Sequence, residues 1–138
     1  MTASDSTRFE VDKSDEQWRA ELSPAQYAVL RQAGTEPAFA GALTDVEDPG
    51  LYRCAACRNP LFRSTTKYHS GSGWPSFWEP LTPDAVVLRP DDSHGMVRTE
   101  VLCGQCGSHL GHRFDDGPQP TGQRYCMNSI ALDLERDE

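Results

Sequence analysis

The chain has 138 residues, a formal net charge of −8 and five cysteines. The length fits one domain with a modest core, and the acidic balance disfavours binding to nucleic acid or anionic membranes, which relies on Lys and Arg. Residues 1–13 contain no apolar stretch typical of a signal peptide, and no apolar run long enough to span a membrane follows. We therefore expect a cytoplasmic protein with a flexible segment at 1–13 and one domain at 14–138.

Helix signals are confined to the N-terminal quarter of the chain. Ser14 and Gln17 have the spacing of a capping box, and Ser23-Pro24 places an N-cap hydroxyl before a proline at the first helical position. Two short helices are therefore predicted before Gly34. Their apolar face is expected to pack against a sheet and to contain Leu22, Ala25, Val29 and Ala33.

After residue 34 the pattern is typical of β structure, because Gly and Pro recur and helical periodicity disappears. Strands are predicted at 51–53, 60–62, 85–88, 96–102 and 129–135. Alternation in the fourth places Val97, Thr99 and Val101 opposite Arg98 and Glu100. In the last, it turns Ile130, Leu132 and Leu134 inward and Ala131, Asp133 and Glu135 outward. The sequence predicts a small, mainly antiparallel β domain with a helical N-terminal cover.

Four of the five cysteines form two CxxC pairs, Cys54 with Cys57 and Cys103 with Cys106. Paired CxxC turns match the tetrahedral four-sulfur geometry of a structural zinc site. The alternative is a redox dithiol, which is less favoured because neither pair has the strand-to-helix setting of a thioredoxin-like motif. We therefore predict one structural Zn²⁺ per chain, held in a compartment that keeps thiols reduced.

The fifth cysteine, Cys126, lies between Arg124 and Asn128. Cationic and hydrogen-bonding neighbours favour a thiolate, and the imidazoles of His109 and His112 are suited to proton transfer near neutral pH. These residues predict a nucleophile with acid/base partners.

Each of these residues also has a structural interpretation. A lone buried cysteine is often an inert apolar residue, and the two histidines could be zinc ligands, although the four sulfurs already complete a tetrahedron. Trp74, which follows the glycines of Ser70-Gly71-Ser72-Gly73, could be a core residue or an apolar wall for a ligand. His69 and His94 are interpreted as ordinary histidines.

Several sequence blocks together carry a family resemblance that extends from about Leu22 to Leu134. They are Gly34-Thr35-Glu36-Pro37, Thr66-Lys67-Tyr68, Ser70-Gly71-Ser72-Gly73-Trp74-Pro75-Ser76-Phe77, His109-Leu110-Gly111-His112 and Arg124-Tyr125-Cys126-Met127-Asn128-Ser129. The chain resembles methionine-R-sulfoxide reductases of the B type. This resemblance implies two small antiparallel sheets in a β-tent-like fold, short N-terminal helices, and a structural zinc on the four CxxC cysteines, remote from the reaction.

The resemblance also implies thiol-dependent reduction of methionine R-sulfoxide, free or in proteins, which repairs oxidised methionine through a sulfenic acid on Cys126. By the same carry-over, Trp74 contacts the substrate's ε-methyl group. His109, His112 and Asn128 serve the sulfoxide oxygen and the attacking sulfur, while Phe114, Asp116 and Arg124 bind the substrate or support these groups.

Ser72 departs from the family pattern, because many relatives carry a second, resolving cysteine at this position. The sequence therefore predicts no intramolecular disulfide and direct reduction by thioredoxin or another external thiol. A monomer is expected. The alternative function is a zinc-stapled, non-catalytic aromatic-cage module, which has no need of a thiol between Arg124 and Asn128. A nucleic-acid-binding zinc ribbon is disfavoured by the acidic charge.

Overall fold

The computed structural model describes Val11, residues 13–92 and residues 97–137. The predicted flexible segment 1–13 lies outside these ranges except for Val11 and Lys13, and so do His94 and the start of the predicted strand at Met96. Within the described ranges, the helices are too short or too polar to cross a lipid bilayer.

Two short helices open the domain, as predicted. Helix α1 spans Asp15–Glu21 and α2 spans Pro24–Leu30, and each begins with a capping box formed by a serine and a glutamine. Each box satisfies backbone N–H groups that have no partner within the helix. Helix α2 packs against strand β7 (His109–Phe114) and against a 3-10 helix at Ser129–Ala131.

The predicted apolar face of the helices was wrong in part. The buried residues are Trp18, Leu22, Val29 and Leu30, whereas Ala25 and Ala33 are exposed. Helix α2 ends at Leu30, and Ala33 lies beyond it with a φ of 56°. Helical spacing therefore does not apply at Ala33, which lies outside the apolar face of α2.

Across the described ranges, nine strands form two antiparallel sheets, which confirms the predicted fold class. The three-stranded sheet has the order β2-β1-β9, and the six-stranded sheet has the order β3-β4-β8-β7-β6-β5. The strands are β1 Gly50–Cys54, β2 Pro60–Arg63, β3 Lys67–Tyr68, β4 Ser76–Phe77, β5 Val86–Asp91, β6 Arg98–Cys103, β7 His109–Phe114, β8 Arg124–Met127 and β9 Leu132–Arg136.

Two strand predictions need correction. The last strand begins at Leu132, because residues 129–131 form a 3-10 helix in which Ala131 is buried rather than exposed. The alternation predicted for β6 was wrong at two positions: Val97 is 90% exposed and Glu100 only 7%. A carboxylate can be buried there because Arg89 and a histidine pair with it.

The core lies between the two sheets and is rich in aromatic rings. Phe62 of the smaller sheet stacks on Phe77 of the larger one with ring centroids 4.3 Å apart, and Tyr52 meets Phe77 edge-on at 5.1 Å. Tyr125 of β8 adds a tilted contact with Phe62 at 5.8 Å. Because side chains alternate along a strand, burying Tyr125 turns the next residue, Cys126, to the other face of the sheet.

Candidate active site

The four CxxC sulfurs lie together, all within 4.8 Å of one another. Cys54 Sγ is 3.8 Å from Cys106 Sγ, and Cys57 Sγ is 3.5 Å from Cys103 Sγ. A tetrahedral metal with bonds of about 2.3 Å to sulfur holds its ligands about 3.8 Å apart. The cluster therefore fits one metal ion, as the spacing predicted.

The two CxxC turns share one backbone hydrogen-bond pattern. Arg58 N–H donates to Cys54 O at 2.8 Å, and at the equivalent place Gly107 N–H donates to Cys103 O at 2.9 Å. Arg58 and Gly107 both take positive φ, 72° and 76°, a conformation that costs glycine least. This turn directs both sulfurs of a pair to the same point.

Hydrogen bonds among the cluster thiols shift their pKa values in opposite directions. Hydrogen bonding with Cys103 lowers the pKa of Cys106, and hydrogen bonding with the same thiol raises the pKa of Cys54. Four adjacent sulfurs cannot all carry negative charge in isolation, so metal binding is coupled to proton release here.

Strand order brings two of the four predicted catalytic residues, Cys126 and His112, side by side in the larger sheet. Cys126 on β8 is paired with Ser76 on β4 and, on its other side, with His112 on β7. His112 is in turn paired with Glu100 on β6. Directly paired residues project their side chains from the same face, so the thiol has a hydroxyl on one flank and an imidazole on the other.

A cavity of about 320 Å³ opens beside Cys126. It brings together six of the eight predicted catalytic and substrate-binding residues; His109 and Asp116 are not among its lining residues. The lining consists of Thr35, Ser72, Trp74, Arg98, Gly111, His112, Phe114, Arg124, Cys126, Met127 and Asn128. Thr35 lies in the Gly-Thr-Glu-Pro block that carried the family resemblance, whereas nothing in the sequence singled out Arg98.

The sequence predicted surroundings that favour a thiolate at Cys126, whereas the structure gives surroundings that favour the protonated thiol. Burial raises the pKa of this thiol, and it outweighs the lowering effects of the hydrogen bond with Ser72 and the positive charge of Arg124. Ser72 Oγ lies 3.8 Å from Cys126 Sγ. The influence of Arg124 has the predicted sign, but desolvation disfavours the charged form more strongly.

The two histidines each hold a carboxylate, and they use opposite ring nitrogens. His109 Nδ1 lies 2.7 Å from Glu100 Oε2, and His112 Nε2 lies 2.8 Å from Asp91 Oδ2. The rings meet edge-on with centroids 5.4 Å apart. A hydrogen bond at one ring nitrogen fixes the donor or acceptor role of the other. Because Asp91 binds Nε2 of His112, the Nδ1 of this ring is left for other partners.

His109 is a buried partner of this pair. It is 4% exposed, and burial lowers its pKa more than Glu100 raises it. Its Nε2 is buried and has no hydrogen-bond partner among the described residues. Of the two imidazoles, His112 is therefore the one that faces the cavity.

Arg124 is positioned by Asp116 and Phe114. Its Nε and one terminal nitrogen donate to the two carboxylate oxygens of Asp116 at 2.8 and 3.1 Å, and its guanidinium lies 4.4 Å from the centre of the Phe114 ring. The hydrogen bonds from Arg124 lower the pKa of Asp116. Asp116 is 64% exposed and contacts Arg124 rather than the cavity.

Trp74 and Asn128 are both held by Glu36, which the sequence interpretation gave no role. Trp74 Nε1–H donates to the Glu36 carbonyl at 2.9 Å, and Glu36 N–H donates to Asn128 Oδ1 at 2.9 Å. Asn128 Nδ2 donates in turn to Leu110 O at 3.0 Å. Trp74 is only partly buried and lines the cavity, so it is not a core residue.

The remaining predicted histidine within the described ranges lies outside the site. His69 is exposed and bonds Glu47 at 2.9 Å, as expected of an ordinary surface histidine.

Comparison with known proteins identifies the family. The model of the SelR domain matches residues 22–136. A protein of Leptospira interrogans named peptide methionine sulfoxide reductase MsrB is 58% identical over 129 residues, which cover 94% of this chain and 98% of that protein. A protein of the same name from Thiobacillus denitrificans is 62% identical over 120 residues, which cover 87% of this chain and 91% of that protein. Another from Agrobacterium fabrum is 54% identical over 132 residues, which cover 96% of this chain and 98% of that protein. Because the family model covers residues 22–136 and these relatives are at least 54% identical over most of both chains, the chain belongs to the SelR-domain family of MsrB proteins.

Proposed function

We propose that this protein reduces the R epimer of methionine sulfoxide, free or within proteins, with Cys126 as the nucleophile. One observation carries the proposal: the cysteine outside the four-sulfur cluster lines a cavity together with an indole, an imidazole and a guanidinium. The names of the MsrB relatives support the reaction and its substrate.

The cavity offers a separate partner for each part of the substrate. The Trp74 ring provides an apolar wall for the ε-methyl group, and its N–H is already engaged with Glu36. His112 and Arg124 provide donors for the sulfoxide oxygen. An imidazole held by a carboxylate is suited to delivering a proton, without which this oxygen leaves poorly.

The proposed chemical step transfers one oxygen atom. Cys126 sulfur, having lost its proton, attacks the sulfoxide sulfur and forms a sulfur–sulfur bond while the sulfoxide oxygen takes up a proton. The oxygen then moves to Cys126 sulfur, the sulfur–oxygen bond of the substrate and the new sulfur–sulfur bond both break, and methionine leaves Cys126 as a sulfenic acid. Cys126 is oxidised by two electrons, and methionine sulfoxide is reduced by two electrons to the thioether. Because burial raises the pKa of the thiol, a base must take its proton as the substrate binds, and His112 lies beside it.

Regeneration requires a thiol from outside the chain. All five cysteines are accounted for by the cluster and Cys126, and the loop residue in contact with the Cys126 sulfur, Ser72, is a serine. One external thiol forms a mixed disulfide with Cys126 and releases water, and a second thiol restores the free cysteine. A dithiol such as thioredoxin supplies both. We expect this to occur in the cytoplasm, with the protein as a monomer.

Zinc is the metal proposed for Cys54, Cys57, Cys103 and Cys106, because a closed four-sulfur tetrahedron is typical of structural zinc. Cys54 ends β1 in one sheet and Cys103 ends β6 in the other. A metal bound there ties the two sheets together and leaves no open position for substrate. The non-catalytic aromatic-cage module is not favoured, since this cavity contains a thiol flanked by His112 and Arg124.

The test uses separated R and S epimers of methionine sulfoxide, with dithiothreitol as the reductant. The unchanged protein should reduce the R epimer alone. Cys126→Ser should abolish turnover while metal content and the unfolding transition stay the same, because a hydroxyl fills nearly the same volume but is a far poorer nucleophile. Turnover by the folded Cys126→Ser variant would contradict the mechanism.

A further inference from the structure

Phe39 is an aromatic residue with unusual exposure and backbone conformation. Its side chain is 72% exposed, and its φ is 65°. A bulky residue with positive φ is uncommon and persists only where the surroundings hold it. The mechanism proposed above makes no use of this residue.

The ring lies against the loop that carries Trp74. Phe39 N–H donates to Gly73 O at 2.7 Å, and a Cβ added at Gly73 would lie 2.9 Å from two atoms of the Phe39 ring. Gly73 has a φ of 93° and stands between Ser72 and Trp74, both of which line the cavity of Cys126. The exposed ring therefore lies against the loop that contributes Ser72 and Trp74 to that cavity.

Contacts of Glu36 hold the segment that presents the ring. The backbone of Glu36 bonds Trp74 and Asn128, and its carboxylate accepts from Ile130 N–H at 2.9 Å. Three residues beyond this anchor, Phe39 has little freedom to move away. Its neighbours Ala38 and Ala40 are exposed as well, so the segment beside the Trp74 loop presents apolar side chains to solvent.

The cavity has room for a side chain but not for a polypeptide, since about 320 Å³ is at the small end of ligand sites. When methionine sulfoxide is part of a peptide, the residues beside it must lie at the mouth. We propose that Phe39 binds these flanking residues and favours protein-bound substrates with apolar neighbours over free methionine sulfoxide. This inference rests on the proposed reduction of methionine sulfoxide at Cys126.

The test compares Phe39→Ala and Phe39→Asn with the unchanged protein on three substrates: free methionine R-sulfoxide, a peptide with glycines beside the sulfoxide, and one with leucines there. Asn tolerates positive φ, so Phe39→Asn removes the ring but keeps the backbone conformation. Both variants should lose roughly five- to thirty-fold in kcat/KM on the leucine peptide, as for one apolar contact at an interface. Free methionine sulfoxide should change less than about twofold, because it does not reach the ring. Leu81→Ala, which removes an exposed apolar side chain outside the lining of this cavity, is the control and should leave all three values unchanged.

The outcomes separate this inference from the function on which it rests. Equal losses on all three substrates would show that Phe39 only supports the Trp74 loop, and unchanged values on the leucine peptide would show that the ring does not touch substrate; either result overturns the inference. If the unchanged protein reduced no methionine sulfoxide at all, the proposed function itself would fail, and the inference with it.

Discussion

Replacing Ser72 by cysteine should give the protein an internal route for reducing oxidised Cys126. Ser72 Oγ lies 3.8 Å from Cys126 Sγ, so forming a disulfide of about 2.05 Å requires the two atoms to approach by about 1.7 Å. The longer C–S bond of the new thiol covers part of this gap. Gly71 and Gly73, with φ of 81° and 93°, flank the position, and a side chain at Gly71 would meet nothing within 4 Å. The loop therefore has space on the Gly71 side for the remaining shift, whereas Gly73 is packed against Ala38 and Phe39.

The assay oxidises the protein with one equivalent of substrate without reductant and then adds dimedone. In the unchanged protein, mass spectrometry should find the dimedone adduct on Cys126 and no disulfide. In Ser72→Cys, a tethered thiol has an effective concentration on the order of millimolar. With dimedone at about 0.1 mM, the adduct should therefore fall about tenfold or more as a 72–126 disulfide forms. Ser70→Cys is the matched control, because the Ser70 hydroxyl bonds Ser72 and Ser76 rather than Cys126.

Two results would refute this reasoning. A full dimedone adduct in Ser72→Cys would mean that the loop does not bring position 72 within bonding distance. A disulfide in the unchanged protein between Cys126 and a cluster cysteine, with metal released during turnover, would mean that regeneration follows a different path.

Three further predictions concern the substrate wall, the metal and the thiol. Trp74→Ala should lower kcat/KM by roughly ten- to two-hundred-fold, the loss expected for an apolar contact in a substrate pocket; normal activity in its folded fraction would show that the indole serves only the fold. Elemental analysis should find one metal ion per chain in the unchanged protein and none in Cys106→Ser. The variant should also lose cooperative unfolding, because metal binding and folding are coupled. Alkylation of Cys126 by iodoacetamide should reach half its maximal rate above pH 9.0, the ordinary thiol value, because burial raises the pKa. Arg124→Met should move that midpoint higher still, since the guanidinium lowers the pKa; a shift to lower pH would contradict this assignment.

Local signals in the sequence predicted the parts of the fold that depend on local chemistry. The capping-box spacing of Ser14 and Gln17 predicted the start of α1, and the N-cap serine with proline in Ser23-Pro24 predicted the start of α2, because each signal needs only residues within one helical turn. The ligand pairs of the metal cluster could also be predicted from sequence, because each CxxC turn places its two sulfurs together independently of the rest of the fold.

Features that depend on strand pairing could not be predicted in this way. The burial of Glu100 follows from its pairing with His112 and its contacts with His109 and Arg89, none of which lies near it in sequence. The raised pKa of Cys126 likewise comes from burial that is known only once the sheet is formed. The neighbouring Arg124 indicated correctly that one effect lowers the pKa of Cys126, but the sequence did not show that burial raises this pKa by more.

The hydrogen-bonded strands on both sides of Cys126 divide the cavity into a fixed wall and an adaptable one. The sulfur and His112 belong to adjacent strands of one sheet, so their separation is set by a backbone ladder. Trp74 and Thr35 stand on irregular segments opposite. Changes in those segments can alter which molecule enters without displacing the reacting atom, so the selectivity of this fold can diverge while the proposed chemistry at Cys126 stays the same.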